Sequence, residues 1–220
     1  MRYRRMLVMT RGFEKLKTKT AAIVGCGNLG SKNALLLARW GINLILIDFD
    51  KVSEPNLGTQ EYCEKDVGRC KVACLKKQLK SVNSNLKVTA INKKLTEKNA
   101  KQLLKNADIV IDASDNLETR FAINEACKAL HVPWIYGSVE LNNGVVAAFG
   151  EKYGFDKIVS KTARTKRVDS VGVTPNVASV VAGIQASLAV KILSGQRIAR
   201  DVAFVDLDSL SIERVKNIGF

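Results

Sequence analysis

The stretch "IVGCGNLGS" sets Gly25, Gly27 and Gly30 in a G-x-G-x-x-G spacing at the end of a short apolar run. A turn of this kind leads a strand into a helix and leaves backbone N–H groups facing outward, an arrangement that suits a phosphate. Asp48 follows Gly25 by 23 residues, where a doubly wound nucleotide-binding fold places the acid that accepts ribose hydroxyls. A nicotinamide or flavin dinucleotide in that turn would make an oxidoreductase, whereas a triphosphate would make an enzyme that spends ATP. Three glycines and one acid do not choose between them.

The elements that must hold these residues are legible as alternating patterns. Apolar runs "AAIV", "LILI", "KVTAI" and "DIVI" are separated by the helical patterns "SKNALLLARW", "CKVACLKKQLKSV" and "TEKNAKQLLKN". This alternation predicts a parallel sheet wrapped by helices, and the unbroken apolar character of "LILI" predicts a central strand covered on both faces. A second half follows, with helical "LETRFAINEACKAL" and strands at "VPWIYGSV" and "GVVAAFG". After Pro175, Val177, Val181, Ile184, Leu188 and Ile192 fall on one helical stripe, and two short strand candidates, "AFVDL" and "SIERV", close the chain. The expected fold is a single α/β domain over residues 1–220, a doubly wound, Rossmann-like, mostly parallel sheet with an appended mixed or antiparallel region.

The formal charge of +14 is unevenly spread. Residues 1–20, a basic N-terminal arm, carry seven basic side chains against Glu14, and a basic crossover segment over 151–172 adds a second concentration. Solvated lysine-rich surface accounts for such stretches, as does an affinity for phosphate, nucleic acid or an acidic protein. The five cysteines, Cys26, Cys63, Cys70, Cys74 and Cys127, are odd in number, contain no C-x-x-C and all precede residue 128. Neither a disulfide framework nor a zinc site follows from that pattern. No apolar run approaches the roughly 20 residues of a membrane span, and the N-terminus lacks the apolar core of a signal peptide, so a cytoplasmic protein is expected.

The continuation "IDFDKVSEPNLGTQ", then "DVGRCK", then "DIVIDASDNLETR" moves the reading from NAD to ATP. With these motifs in this order, the chain resembles the adenylating enzymes of the ThiF/MoeB type, which activate ubiquitin-like proteins and sulfur carriers. The resemblance runs from "RYRR" to "GVTPNVASVVAGIQASLAVKILSG". It implies that Gly25, Gly27, Asn28 and Gly30 line the ATP phosphates, that Asp48 binds the ribose, and that Asn56 and Gln60 lie beside the nucleotide. It further implies that Lys71 meets the phosphates, that Asp115 holds Mg²⁺, and that Arg5 reaches the ATP of a partner subunit across a homodimer. The implied reaction is ATP-dependent adenylation of the C-terminal carboxylate of a small ubiquitin-like or sulfur-carrier protein, with release of pyrophosphate.

Read without the family, the same residues have plainer roles. Asp115 and Glu118 form a D-x-x-E helix-capping pattern, Lys71 reads as a solvated helix lysine, and Arg5 as part of a mobile terminus. Three departures from the family pattern matter. Thr59 stands where the family usually has an arginine, with Arg69 and Arg120 as candidate substitutes. The second half has no cysteine, so no zinc is expected, and no thiol stands where many relatives form a thioester, leaving Cys63 as a substitute candidate. Three other readings stay open: a relative that activates a carboxyl group on a tRNA base, suited by the basic stretches; a degenerate ATP-binding scaffold; and a true dinucleotide oxidoreductase, which would have to bind NAD in place of ATP.

Overall fold

The structure, a computed structural model, describes residues 3–7, 12–150, 172–198 and 201–216, with residues 154, 155 and 159 between them. Its strands are β1 Thr20–Val24, β2 Asn43–Asp48, β3 Val88–Asn92, β4 Ile109–Asp112, β5 Trp134–Glu140, β6 Asn143–Phe149, β7 Val202–Asp206 and β8 Ser211–Val215. Its helices are α1 Arg4–Leu7, α2 Phe13–Leu16, α3 Asn28–Arg39, α4 Lys71–Val82, α5 Glu97–Leu104, α6 Leu117–Leu130 and α7 Pro175–Leu193. All eight strands expected from the apolar runs are present. The two short N-terminal helices lack the length for a readable period.

The strands form one sheet in the order β3-β2-β1-β4-β5-β6-β7-β8. The first five run parallel and β5 to β8 pair antiparallel. Side chains alternate between two cores: Ala21, Ile23, Leu44 and Leu46 belong to one, Ala22, Val24, Ile45 and Ile47 to the other. Burial on both faces is why "LILI" reads as a continuous apolar run. Chain order reverses between β1 and β4, so the crevice at their C-terminal ends is where a doubly wound sheet binds its ligand.

One expectation about hydropathy is corrected. α7 is 19 residues long with a mean hydropathy of 1.5, long and apolar enough by length and composition to cross a membrane. Polar residues such as Asn176, Ser179 and Gln185 break the sequence into short apolar pieces and hide that length. Here α7 serves as a core helix, with Val177, Val181, Ala182, Ala186 and Ala189 buried. Strand glycines admit it: a Cβ on Gly144 would collide with Val181, and one on Gly137 with Gln185.

The N-terminal arm is docked rather than wholly solvated. Phe13 and Leu16 are buried, and the Tyr3 and Phe13 rings lie 5.0 Å apart. Most of the basic crossover segment over 151–172 lies outside the described residues. Phe155 within it is buried against Phe121, Trp134, Tyr136 and Phe149.

Candidate functional site

The glycine turn leaves β1 at its C-terminal end. Gly25 adopts φ 88°, and a Cβ there would lie 2.5 Å from the Ala113 carbonyl oxygen, so both conformation and space require glycine. A Cβ on Gly30 would collide with the Gly25 carbonyl oxygen, which lets α3 start directly against the turn. Gly27 is the N-cap of α3 and supplies no side-chain cap. The first N–H groups of α3, beginning at Asn28, therefore form an anion-binding helix end on a helix long enough to have one.

Asp48 ends β2 beside this turn, only 8% exposed. Its Oδ2 accepts the Cys26 N–H at 2.6 Å and its Oδ1 accepts the Asp50 N–H at 2.7 Å. Each oxygen retains a lone pair for a further donor such as a ribose hydroxyl. Burial, followed by the Asp48 carboxylate, raises the Cys26 thiol well above its usual range, against a smaller opposing pull from Lys71. Cys26 is thus a packed neutral thiol rather than a nucleophile.

Lys71 is not a solvated lysine. It opens α4 with its side chain 8% exposed, and its Nζ lies 3.2 Å from Asp50 Oδ2. Its N–H also donates to the Asp50 carbonyl at 3.0 Å. Asp50 is a residue that the sequence reading missed. The signal was the D-x-D spacing of "IDFDK", which places two carboxylates on one side of a strand end.

The loop carrying Asn56 and Gln60 folds as a 3₁₀ turn over Glu54–Gly58. Asn56 Oδ1 accepts the Ser53 N–H at 3.0 Å, and Gln60 Nε2 would lie 3.8 Å from a Cβ on Gly27. Gln60 Oε1 is buried without a hydrogen-bond partner among the described residues, an acceptor still open to a donor. Thr59, where the resemblance in sequence implies an arginine, donates its Oγ1 proton to Asn28 Oδ1 at 2.7 Å. Lys32 and Glu61, paired at 2.6 Å, further tie this loop to α3, and the Tyr62 hydroxyl donates to the Cys26 carbonyl at 2.7 Å. Of the two candidate substitutes for the arginine, Arg120 is buried against Asp112, and Arg69 is exposed.

Asp115 does not cap α6, contrary to the D-x-x-E reading. Asn116 is the N-cap, its Oδ1 accepting the Thr119 N–H at 2.9 Å, because the helix begins one residue later than the pattern suggests. Glu118 instead lies 3.8 Å from Lys94. Asp115 is exposed, held by the Asn116 amide at 3.1 Å through Oδ1. A hard carboxylate at the sheet's C-terminal edge fits Mg²⁺, which takes one or two carboxylates and keeps several waters. Among the described residues no group of three or more His, Cys, Asp or Glu converges as a metal cage.

Arg5 is separated from this cluster. Tyr3 Oη accepts the Asn83 amide at 2.8 Å and lies over Gly41, so the arm is fastened where α3 and α4 end. The 12 residues of α3 span about 18 Å between that end and the glycine turn. Gly25, Gly27, Asn28, Gly30, Asp48, Asn56, Gln60, Lys71 and Asp115 gather at one end of the sheet, and exposed Arg5 stands at the other.

The model of the ThiF family matches residues 3–218. The chain is 32% identical to the molybdopterin-synthase adenylyltransferase of Haemophilus influenzae over 98% of this chain and 94% of that protein. It is 31% identical to the Escherichia coli molybdopterin-synthase adenylyltransferase over 89% and 82%. Among solved structures, E. coli MccB with ATP superposes with a TM-score of 0.87 at 21% identity, covering all of this chain and 72% of MccB. The glycine turn, the reversal between β1 and β4 and the match over nearly the whole chain agree, and the chain belongs to the ThiF family.

Proposed function

We propose that this protein uses ATP to adenylate the C-terminal carboxylate of a small sulfur-carrier or ubiquitin-like protein, releasing pyrophosphate. The observation that carries the reading is Lys71, a buried ammonium paired with Asp50 at the same sheet edge as the glycine turn, in a chain similar to adenylyltransferases of that kind. One α/β domain over residues 1–220 supplies the site.

The α3 N–H groups from Asn28 onward, with Gly25, Gly27 and Gly30, receive the phosphates, while Asp48 accepts the ribose hydroxyls. Asn56 and Gln60 close on the nucleotide from the facing loop. A carboxylate oxygen of the carrier bonds to the α-phosphorus, and the bond from that phosphorus to the bridging oxygen breaks as pyrophosphate departs. Charge grows on the phosphoryl oxygens and the leaving group, where Lys71 opposes it. Asp115 would hold Mg²⁺, which when bound would supply further neutralisation of the phosphate oxygens. No general base is needed, because a terminal carboxylate with a pKa of about 3.5 is ionised at neutral pH. Arg5 adds a cation from the second subunit of a homodimer, since its own site is at the far end of α3.

The test is ATP–pyrophosphate exchange with purified small carrier proteins, their C-terminally amidated forms, and tRNA. Exchange driven by a carrier and lost on amidation supports the reading. Exchange driven by tRNA alone replaces the substrate, and nucleotide binding without exchange under any of these conditions replaces the enzyme with a scaffold.

A further inference from the structure

Ser114 is gripped by all three of its polar groups. Its N–H and its hydroxyl both donate to Asp112 Oδ1, at 3.0 and 2.6 Å, and its carbonyl accepts Arg120 Nη2 at 2.9 Å. The two residues that grip it are an ion pair inside the protein: Asp112 is fully buried, Arg120 is 5% exposed, and Arg120 Nε lies 3.4 Å from Asp112 Oδ2. The Arg120 guanidinium also lies over the Tyr136 ring, 4.9 Å from its centroid. Two buried charges are a costly way to hold a core together, since apolar residues of similar volume often do as well or better. The arrangement instead fixes one residue, through the peptide units on both sides of it and through its side chain.

Ser114 lies between two parts of the site. On one side the glycine turn is so close that a Cβ on Gly25 would meet the Ala113 carbonyl and stand 3.3 Å from Ser114 N. On the other side the next residue is Asp115, whose carboxylate is held, among the described residues, by the neighbouring Asn116 amide. Moving Ser114 by a fraction of an ångström would therefore shift Asp115 relative to the phosphate turn.

We infer that Arg120 and Asp112 are positioning residues for the metal-binding carboxylate: through Ser114 they set where Asp115 stands relative to the ATP phosphates. The inference rests on the assignment of Asp115 to Mg²⁺ made above. Both side chains are themselves buried, Asp112 completely and Arg120 to 5% exposure, so they act through Ser114 rather than from an exposed surface. Their effect resembles that of residues behind metal ligands elsewhere, whose loss typically costs about 10- to 100-fold in metal affinity. Arg120 is accordingly excluded as a replacement for the family arginine missing at Thr59, because its guanidinium is already committed to Asp112, Ser114 and Tyr136.

The experiment measures Mn²⁺ binding by the paramagnetic resonance of free Mn²⁺ in the presence of saturating α,β-methylene-ATP, with the analogue's own Mn²⁺ affinity subtracted. The double variant Asp112→Asn with Arg120→Gln removes both buried charges together and so leaves neither unpaired. It is expected to bind Mn²⁺ about tenfold more weakly, while metal-free analogue affinity and thermal unfolding stay close to those of the parent. Ser114→Ala keeps the buried ion pair and removes only the 2.6 Å hydroxyl bond. It provides the same reading, a weaker Mn²⁺ affinity than the parent's, if the double variant does not fold. Arg120→Lys, which keeps the charge and loses the fork, should fall between parent and double variant. Parent-like Mn²⁺ affinity in folded variants, alongside loss in Asp115→Asn, overturns the positioning role and leaves the metal assignment standing. Parent-like affinity in Asp115→Asn itself overturns the metal assignment, and this inference with it.

Discussion

Lys71 Nζ and Asp50 Oδ2 lie 3.2 Å apart, with the lysine side chain 8% exposed and the aspartate side chain 48% exposed. The ammonium is thus held at the site by a carboxylate that faces solvent. Lys71→Ala should lower pyrophosphate exchange by about 100-fold or more, the usual cost of removing an electrostatic contact made in the transition state. Its stability should fall by only about 1 kcal/mol, because the stranded Asp50 can hydrate. Steady-state exchange and a thermal melt check both parts.

Asn116, rather than Asp115, caps α6, so the two residues should separate stability from activity. Asn116→Ala should cost about 1 kcal/mol in thermal unfolding, the typical value of a lost N-cap. Asp115→Asn should leave the melting temperature close to the parent's while reducing exchange by about 100-fold. A destabilised Asp115→Asn with normal exchange would reverse the assignment.

Arg5 stands at the end of the sheet where Tyr3 is fastened to Asn83. Arg5→Ala should be severely impaired, and mixing it with inactive Lys71→Ala after subunit exchange should restore activity. One composite site of the mixed dimer then joins an intact arm to an intact Lys71. Sedimentation of the mixture must show heterodimers; failure to complement within them would confine Arg5 to surface charge.

Thr59, where the resemblance in sequence implies an arginine, bonds to Asn28 at the first residue of α3. Thr59→Arg breaks that 2.7 Å bond and adds a cation near the phosphate turn. Tighter ATP use, read as a lower KM for ATP in exchange, is expected if the loop keeps its shape. Loss of exchange would show that the Thr59 to Asn28 bond is needed to hold the loop.

The cysteines should react in an order set by burial. Burial raises the thiols of Cys26 and Cys127, the latter to about 12, whereas Cys63 is exposed. At pH 8 the native protein should take up iodoacetamide first at Cys63, with Cys26 and Cys127 protected until unfolding, as peptide mass spectrometry would show. Cys63→Ala should adenylate its carrier normally. A reductant-sensitive adduct to the carrier that Cys63→Ala abolishes would instead make Cys63 an acyl acceptor.

The sequence by itself determined the order and type of the main elements. Strand and helix periods are local properties, and "LILI" or "LETRFAINEACKAL" carries them without reference to the rest of the chain. Gly25 and Asp48 were legible because a strand-to-helix turn and a strand-end acid have a fixed spacing in this architecture. Tertiary structure decided the rest. Whether Lys71 is solvated or buried depends on Asp50, 21 residues away. Whether Asp115 caps a helix depends on where α6 begins, and a shift of one residue hands the role to Asn116. Arg120, read as a possible phosphate ligand, is spent on Asp112 because β4 and α6 fold back against each other. The Lys71 and Asp50 pair joins residues 21 apart, and the Asp112 and Arg120 pair joins a strand end to the helix that follows it, so no periodicity or motif spacing announces either; only the close packing of the sheet edge brings them together.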